Sequence, residues 1–156
     1  LASNRFGSKE DLFAEMIDVF NKRWKAELTA YVGSKKGLDA FGAAIESGIH
    51  YLNENSEYVR AMFVLYYETV GSNTVMRDRL AEQHSAYRRA ISRYINQGIE
   101  AGTIKRAAVP SRVALQYTSF FFGLVYQWLA NPDEVEFESA LHDFRDALFS
   151  LIAEPG

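Results

Sequence analysis

Residues 5–13 read Arg5-Phe6-Gly7-Ser8-Lys9-Glu10-Asp11-Leu12-Phe13, RFGSKEDLF, and they join the end of one element to the start of another. Gly7 offers a tight turn. Ser8 is then an N-cap, because its hydroxyl oxygen can accept the backbone N–H of residue 11. Asp11, in the third helical position, returns a carboxylate and suits the positive end of the helix dipole. Working outward, Leu12, Met16, Ile17, Phe20, Trp24 and Leu28 fall on one helical face. That helix ends before GSKKG at 33–37, a length of roughly 35 Å at ~1.5 Å per residue.

The same period continues to the end of the chain, and no β-alternation interrupts it. A second helix follows Gly37, with Leu38, Phe41, Ile45, Ile49 and Leu52 as its stripe; Gly42 and Gly48 weaken it or let a neighbour come close. NENSE breaks the pattern and supplies a new cap at Asn55 or Ser56. The third helix, EYVRAMFVLYYETV at 57–70, is apolar nearly all round, which predicts a central buried position. A long fourth helix runs from about Thr74 to Ala101 and stops at Gly102. Pro110 suits the first turn of a fifth, and NPDEVE separates that from a sixth within FESALHDFRDALFSLIA. Six helices with short connections make an all-α domain.

Composition narrows the function. The 156 residues are 48% hydrophobic and 24% charged, which is globular, and carry no apolar run of the ~18–20 residues that span a bilayer. Leu1 leads into polar ASNR rather than a secretory leader, and the missing initiator Met fits a piece of a longer protein. Zero cysteines exclude a disulfide framework, a thiolate metal site and a Cys nucleophile, and suit a cytoplasmic protein. A formal net charge of −3 gives this portion no nucleic-acid signature of its own. The seven basic residues between Val75 and Arg106, and the seven acids against two arginines from Ala107 onward, read as solvated helix faces.

The opening motif resembles the junction between the recognition helix and the next helix in TetR-family (tetracycline-repressor-like) transcriptional regulators. Phe6, Gly7, Ser8, Lys9, Glu10, Asp11 and Leu12 carry the likeness without a gap, while Ser3 stands where the family usually has a Tyr. A looser similarity covers EAGTIKRAAVPSRVALQYTSFFFGLVYQWLANP, through Gly102, Ile104, Lys105, Gly123, Leu124, Trp128, Leu129 and Pro132. The resemblance implies that residues 1–7 are a remnant of a helix-turn-helix DNA-binding domain. Residues 8–156 are then a TetR-type ligand-binding and dimerisation domain whose last two helices join a dimeric four-helix bundle. It also implies that Lys9 sits by the DNA backbone, with Arg5 and Asn4 as further phosphate contacts. A lysine at the positive end of a helix dipole is locally unfavourable, which suits an external phosphate.

Aromatic residues, 14% of the chain, supply the other signal. Singly each is a core residue; together, with several hydroxyls that need partners, they suit an apolar-to-aromatic small-molecule pocket. The candidate lining is Phe20, Trp24, Phe63, Tyr66, Tyr67, His84, Tyr87, Arg88, Tyr117, Phe120 and Phe121, with Glu68 beside its two tyrosines as a possible polar group. A dimer face is expected from Ser119, Phe122, Gly123 and Tyr126 on the fifth helix, with Leu141, Phe144, Leu148, Phe149 and Ile152 on the sixth. No catalytic residue, metal site or cofactor is expected. The three histidines are scattered, the nearest thing to a ligand pair being His142 with Asp146, and no nucleophile elbow or phosphate loop occurs. The reading is a homodimeric, ligand-responsive repressor that leaves operator DNA when a small apolar or aromatic effector binds. The alternative is an all-α carrier or enzyme with no DNA role.

Overall fold

The computed structural model describes residues 8–72 and 74–156. Asn4, Arg5 and the expected remnant at 1–7 lie outside the described residues. Six helices follow one another: α1 Lys9–Val32, α2 Gly37–Glu54, α3 Ser56–Ser72, α4 Thr74–Glu100, α5 Pro110–Ala130 and α6 Phe137–Ile152. Among the described residues no strand forms beyond an isolated bridge between Ile104 and Ala153. No helix there is long and apolar enough to cross a membrane.

The caps form where the side-chain chemistry places them. Ser8 Oγ accepts the Asp11 N–H at 3.2 Å. Gly33, at φ +52°, closes α1 with its N–H on the Thr29 carbonyl at 2.9 Å, a left-handed geometry that favours glycine. Pro110 occupies the first turn of α5. At the far end of α4, Ile104 folds back over Gly98, where an added Cβ would collide with the Ile104 side chain. Lys105 N–H then donates to the Ile152 carbonyl at 2.8 Å, so the α4–α5 loop is tied to the end of α6.

The centre of the domain is α2, ten of whose eighteen residues are buried. Helix α1 lies along it, and α4 packs against both α2 and α5. Phe41 is fully buried there, with Tyr117 at 5.0 Å and Phe149 at 5.2 Å between ring centroids.

Helix α3 departs from expectation. Its inner face (Val59, Met62, Phe63, Tyr66 and Thr69) is buried, but Val64, Tyr67 and Val70 are 55%, 58% and 60% exposed. It packs on α1, α2 and α4 from one side and leaves a second apolar face open. All-round apolarity records how many faces are greasy; it does not say whether the same chain covers them.

Candidate functional site: an aromatic cavity beneath α1

Five helices turn one face each towards a common space. Phe20, Asn21 and Trp24 come from α1; Gly48, Tyr51 and Leu52 from α2; Val59, Met62, Phe63 and Tyr66 from α3. Gln83, His84 and Tyr87 come from α4, and Phe121 and Phe122 from α5. The spacings of three and four are those of one helical face, so each helix needs only local regularity to aim its set inward. The cavity they enclose measures about 60 Å³. Gly48 leaves room for the Phe121 ring, which would lie 3.5 Å from an added Cβ.

Three pairs of rings from neighbouring helices meet edge to face. Trp24 stands on Tyr87 at 4.9 Å and 87°, Phe20 on Tyr51 at 5.4 Å and 83°, and Tyr66 on His84 at 5.7 Å and 85°. Such pairs keep ring quadrupoles in register and fix the wall's shape. Two of the wall's hydroxyls are satisfied. Tyr66 donates to Gln83 Oε1 at 3.1 Å, and Tyr87 donates to the Tyr117 hydroxyl at 3.2 Å. Two polar atoms are not: Tyr51 Oη and His84 Nε2 are buried with no hydrogen-bond partner.

No Asp, Glu, Lys or Arg lines this wall, and the titrations follow from that dryness. Burial pushes the phenols of Tyr51, Tyr66, Tyr87 and Tyr117 above the usual range. Burial also pulls His84 below its ordinary value, and the positive charge of Arg88 adds to the effect. His84 is therefore a neutral imidazole at physiological pH.

Of the residues expected to line a pocket, the structure gathers Phe20, Trp24, Phe63, Tyr66, His84, Tyr87 and Phe121 around this cavity. Four lie elsewhere. Tyr67 is exposed on the outer face of α3, 5.3 Å from the Tyr126 ring. Arg88 turns to Ser85 Oγ at 3.0 Å. Tyr117 is wholly buried behind Tyr87, and Phe120 stacks on Phe144 at 4.0 Å between α5 and α6. Glu68 does not reach the wall; its carboxylate holds Lys9 Nζ at 2.6 Å across the outer end of α1 and α3. Sequence reasoning missed Tyr51 and Gln83 and read Phe122 as a dimer contact. Gly48 was the available signal for Tyr51: a glycine in mid-helix that admits a neighbour marks the cavity-facing side, and Tyr51 lies one turn further on.

The expected dimer residues divide as well. Ser119, Gly123 and Tyr126 are exposed along α5, while Phe122 faces the cavity. On α6, Leu141, Leu148 and Ile152 are buried in the subunit's own core, and half-buried Phe144 and Phe149 pack on Phe120 and Phe41. The strong apolar stripe of α6 is thus the one that fastens it to its own subunit. His142 pairs with Glu46 at 2.6 Å rather than with Asp146, and Arg145 reaches the same carboxylate at 3.1 Å. No group of three or more His, Asp or Glu among the described residues is placed to hold a metal ion.

Comparison with known proteins gives this geometry a context. Residues 43–153 match the family model of the BetI-type transcriptional repressor, C-terminal. Among solved structures, a SmeT–triclosan complex superposes with a TM-score of 0.77 at 14% identity, over 97% of this chain and 74% of that one. SmeT itself, the repressor of the Stenotrophomonas maltophilia multidrug efflux pump SmeDEF, gives 0.73 at 13% identity, over 99% and 87%. A putative TetR-family regulator from Rhodococcus sp. gives 0.71 at 22%, over 96% and 76%. No curated protein matches the chain by sequence.

Proposed function

The chain belongs to the BetI-type transcriptional repressors of the TetR family, as their C-terminal domain, and on that premise we propose that the cavity beneath α1 is an effector site that controls operator release. The observation that carries the reading is that Phe20 and Trp24, on the helix that follows the DNA-binding domain in this family, form one wall of a mostly apolar, aromatic cavity. The likeness to a SmeT–triclosan complex supports a small-molecule effector.

The size of the space supplies the mechanism. An engineered core cavity that holds benzene measures ~150 Å³, against about 60 Å³ here. A ring can enter only if a wall gives way. Helix α1 buries few residues for its length, Phe13, Ile17 and Val32, and is the wall taken to give way. With Val32 as pivot, Trp24 lies roughly 12 Å along the helix and Lys9 roughly 35 Å. A displacement beneath Trp24 is therefore magnified roughly threefold at the end that meets the DNA-binding domain. The effector prefers the displaced state by the energy of its contacts there, typically ~1–3 kcal/mol of coupling. Residues 1–7 close the DNA-binding domain in this reading, Lys9 leaves the Glu68 carboxylate to lie with Arg5 and Asn4 by the phosphate backbone, and the protein works in the cytoplasm.

Dimerisation uses the faces that one subunit leaves open. Leu115, Ser119, Gly123 and Tyr126 run along α5 at helical spacing, and Ala147 and Leu151 are exposed on α6. A second copy packed here by two-fold symmetry makes a four-helix bundle. The Tyr67–Tyr126 contact extends that face to Val64 and Val70. Two subunits then place their readers on half-sites ~34–36 Å apart.

The test uses full-length protein and its operator duplex, followed by fluorescence anisotropy during an effector screen. Gly48→Met, which fills the cavity, is expected to keep operator binding and lose release, whereas exposed Tyr67→Ser keeps both. Release by the same compounds in both variants sinks the assignment.

A further inference from the structure

We propose that the effector is an uncharged single-ring aromatic carrying one hydroxyl, which pairs with the unpartnered polar atoms of the cavity wall, Tyr51 Oη and His84 Nε2. This rests on the reading of the cavity as the effector site and adds the chemistry that selects the ligand. Buried polar atoms in folded proteins are nearly always paired, and each orphan costs free energy until something pairs with it. Here two of them, Tyr51 Oη and His84 Nε2, belong to the wall of one cavity. Tyr51 is 4% exposed, so bulk solvent does not meet its needs. A phenol donates and accepts, and so does the Tyr51 hydroxyl; a neutral imidazole Nε2 does one or the other according to tautomer. A ligand hydroxyl can therefore pair with either atom in either tautomer, which a ligand lacking it cannot do.

A cation is excluded on three grounds, and an anion on the first of them. The wall holds no ionised side chain to pair with a carboxylate or an ammonium, and an unpaired charge in such a site is strongly disfavoured. The field of Arg88, which opposes a proton on His84, opposes a ligand cation in the same place. The Trp24–Tyr87, Phe20–Tyr51 and Tyr66–His84 pairs meet edge to face and the Phe63–Phe122 and His84–Phe122 pairs are tilted, so ring faces are taken up by one another rather than aligned around a cage. Size argues for a single ring, because each further ring must displace more wall from a space of about 60 Å³.

The experiment titrates the chain as it stands with p-cresol, toluene, benzoate and benzyltrimethylammonium, read by the fluorescence of Trp24 and by calorimetry. Trp128, the second tryptophan, packs on Phe137 away from the cavity. Toluene is expected to bind about tenfold more weakly than p-cresol, and the two ions not measurably. Tyr51→Phe should shrink the advantage of p-cresol over toluene, and Tyr51→Phe combined with His84→Leu should abolish it. With p-nitrophenol, whose hydroxyl ionises near neutrality, apparent affinity should fall about tenfold per pH unit above the probe's own pKa. Benzoate or the ammonium binding as well as p-cresol, or an advantage undiminished in Tyr51→Phe combined with His84→Leu, overturns the ligand class while binding lost in Gly48→Met preserves the site. Failure of every probe to bind, or binding retained in a folded Gly48→Met chain, overturns the site and the class together.

Discussion

Two aromatic clusters share the middle of this domain, and they are finished differently. Around Phe41, the rings of Tyr117 and Phe149 close on its ring, and the Tyr117 hydroxyl accepts a hydrogen bond from that of Tyr87. One helix face away, Phe20, Tyr51, Tyr66 and His84 are as aromatic and nearly as dry, yet they surround a space and leave two polar atoms unpaired. The composition of the clusters is alike. What separates them is satisfaction: one reaches close packing with its hydrogen bonds made, and the other stops short of both. Tyr87 sits on the border, with its ring on the cavity wall and its hydroxyl on the closed side. The unfinished cluster has capacity to bind something, whereas the finished one supplies stability.

Truncation is expected to part the clusters most widely. Phe41→Ala removes a fully buried ring from close contact and should cost ~3–5 kcal/mol. Phe20→Ala removes a half-buried ring beside existing space and should cost about 1–2 kcal/mol. Urea unfolding of the two variants measures the difference; equal losses would mean that the cavity wall is packed as tightly as the core.

A subtler pair deletes single oxygens. Tyr117→Phe strands the Tyr87 hydroxyl in a fully dry site and is expected to destabilise by ~1–3 kcal/mol. Tyr51→Phe deletes an oxygen that has no partner, so stability should hold or rise by up to ~1 kcal/mol. The same chemical change thus has opposite value in the two clusters. A clear loss of stability in Tyr51→Phe would show that its hydroxyl is already paired.

How far this contrast could be read in the sequence depends on which interactions are local. Helix boundaries were legible, because Ser8, Gly33, Asn55, Gly102 and Pro110 act on their own neighbours within a turn. Seven cavity residues were legible for a related reason: an aromatic at helical spacing faces inward whatever it meets there. The exceptions all turn on partners far along the chain. Tyr51 looked like a residue beside the α2 stripe until α1 and α3 closed over it, and Tyr117 looked like pocket until Tyr87 claimed its hydroxyl. Leu141 and Leu148 were equally able to face a partner subunit or their own, and the choice was made by how α6 lies against the rest of the subunit. Val64, Tyr67 and Val70 failed in the opposite sense, being apolar enough for a core that never reached them.

The smallest expected effect concerns the other orphan of the open cluster, His84. In the unfolded chain its imidazole takes a proton near pH 6.5; in the folded chain burial, with Arg88 in support, holds that event to lower pH. Between those two values the unfolded state binds the extra proton, so acid favours unfolding. The contribution is fully present above about pH 6.5 and is lost progressively as pH falls towards the folded value. Tyr66 and Phe122, the rings against His84, offer no counter-charge that would reverse this sign. His50 and His142 lie beside Glu27 and Glu46 and are unchanged in a His84→Gln variant, so subtraction isolates the one group. Stability curves measured at stepped pH should therefore diverge below 6.5, with wild type declining more steeply than the variant. A hydroxylated ligand bound at Nε2 should widen the gap, because it holds the neutral imidazole in the folded state and has no hold on the unfolded one. Parallel curves with and without ligand would place that ligand out of reach of His84, and the two clusters would then differ in packing alone.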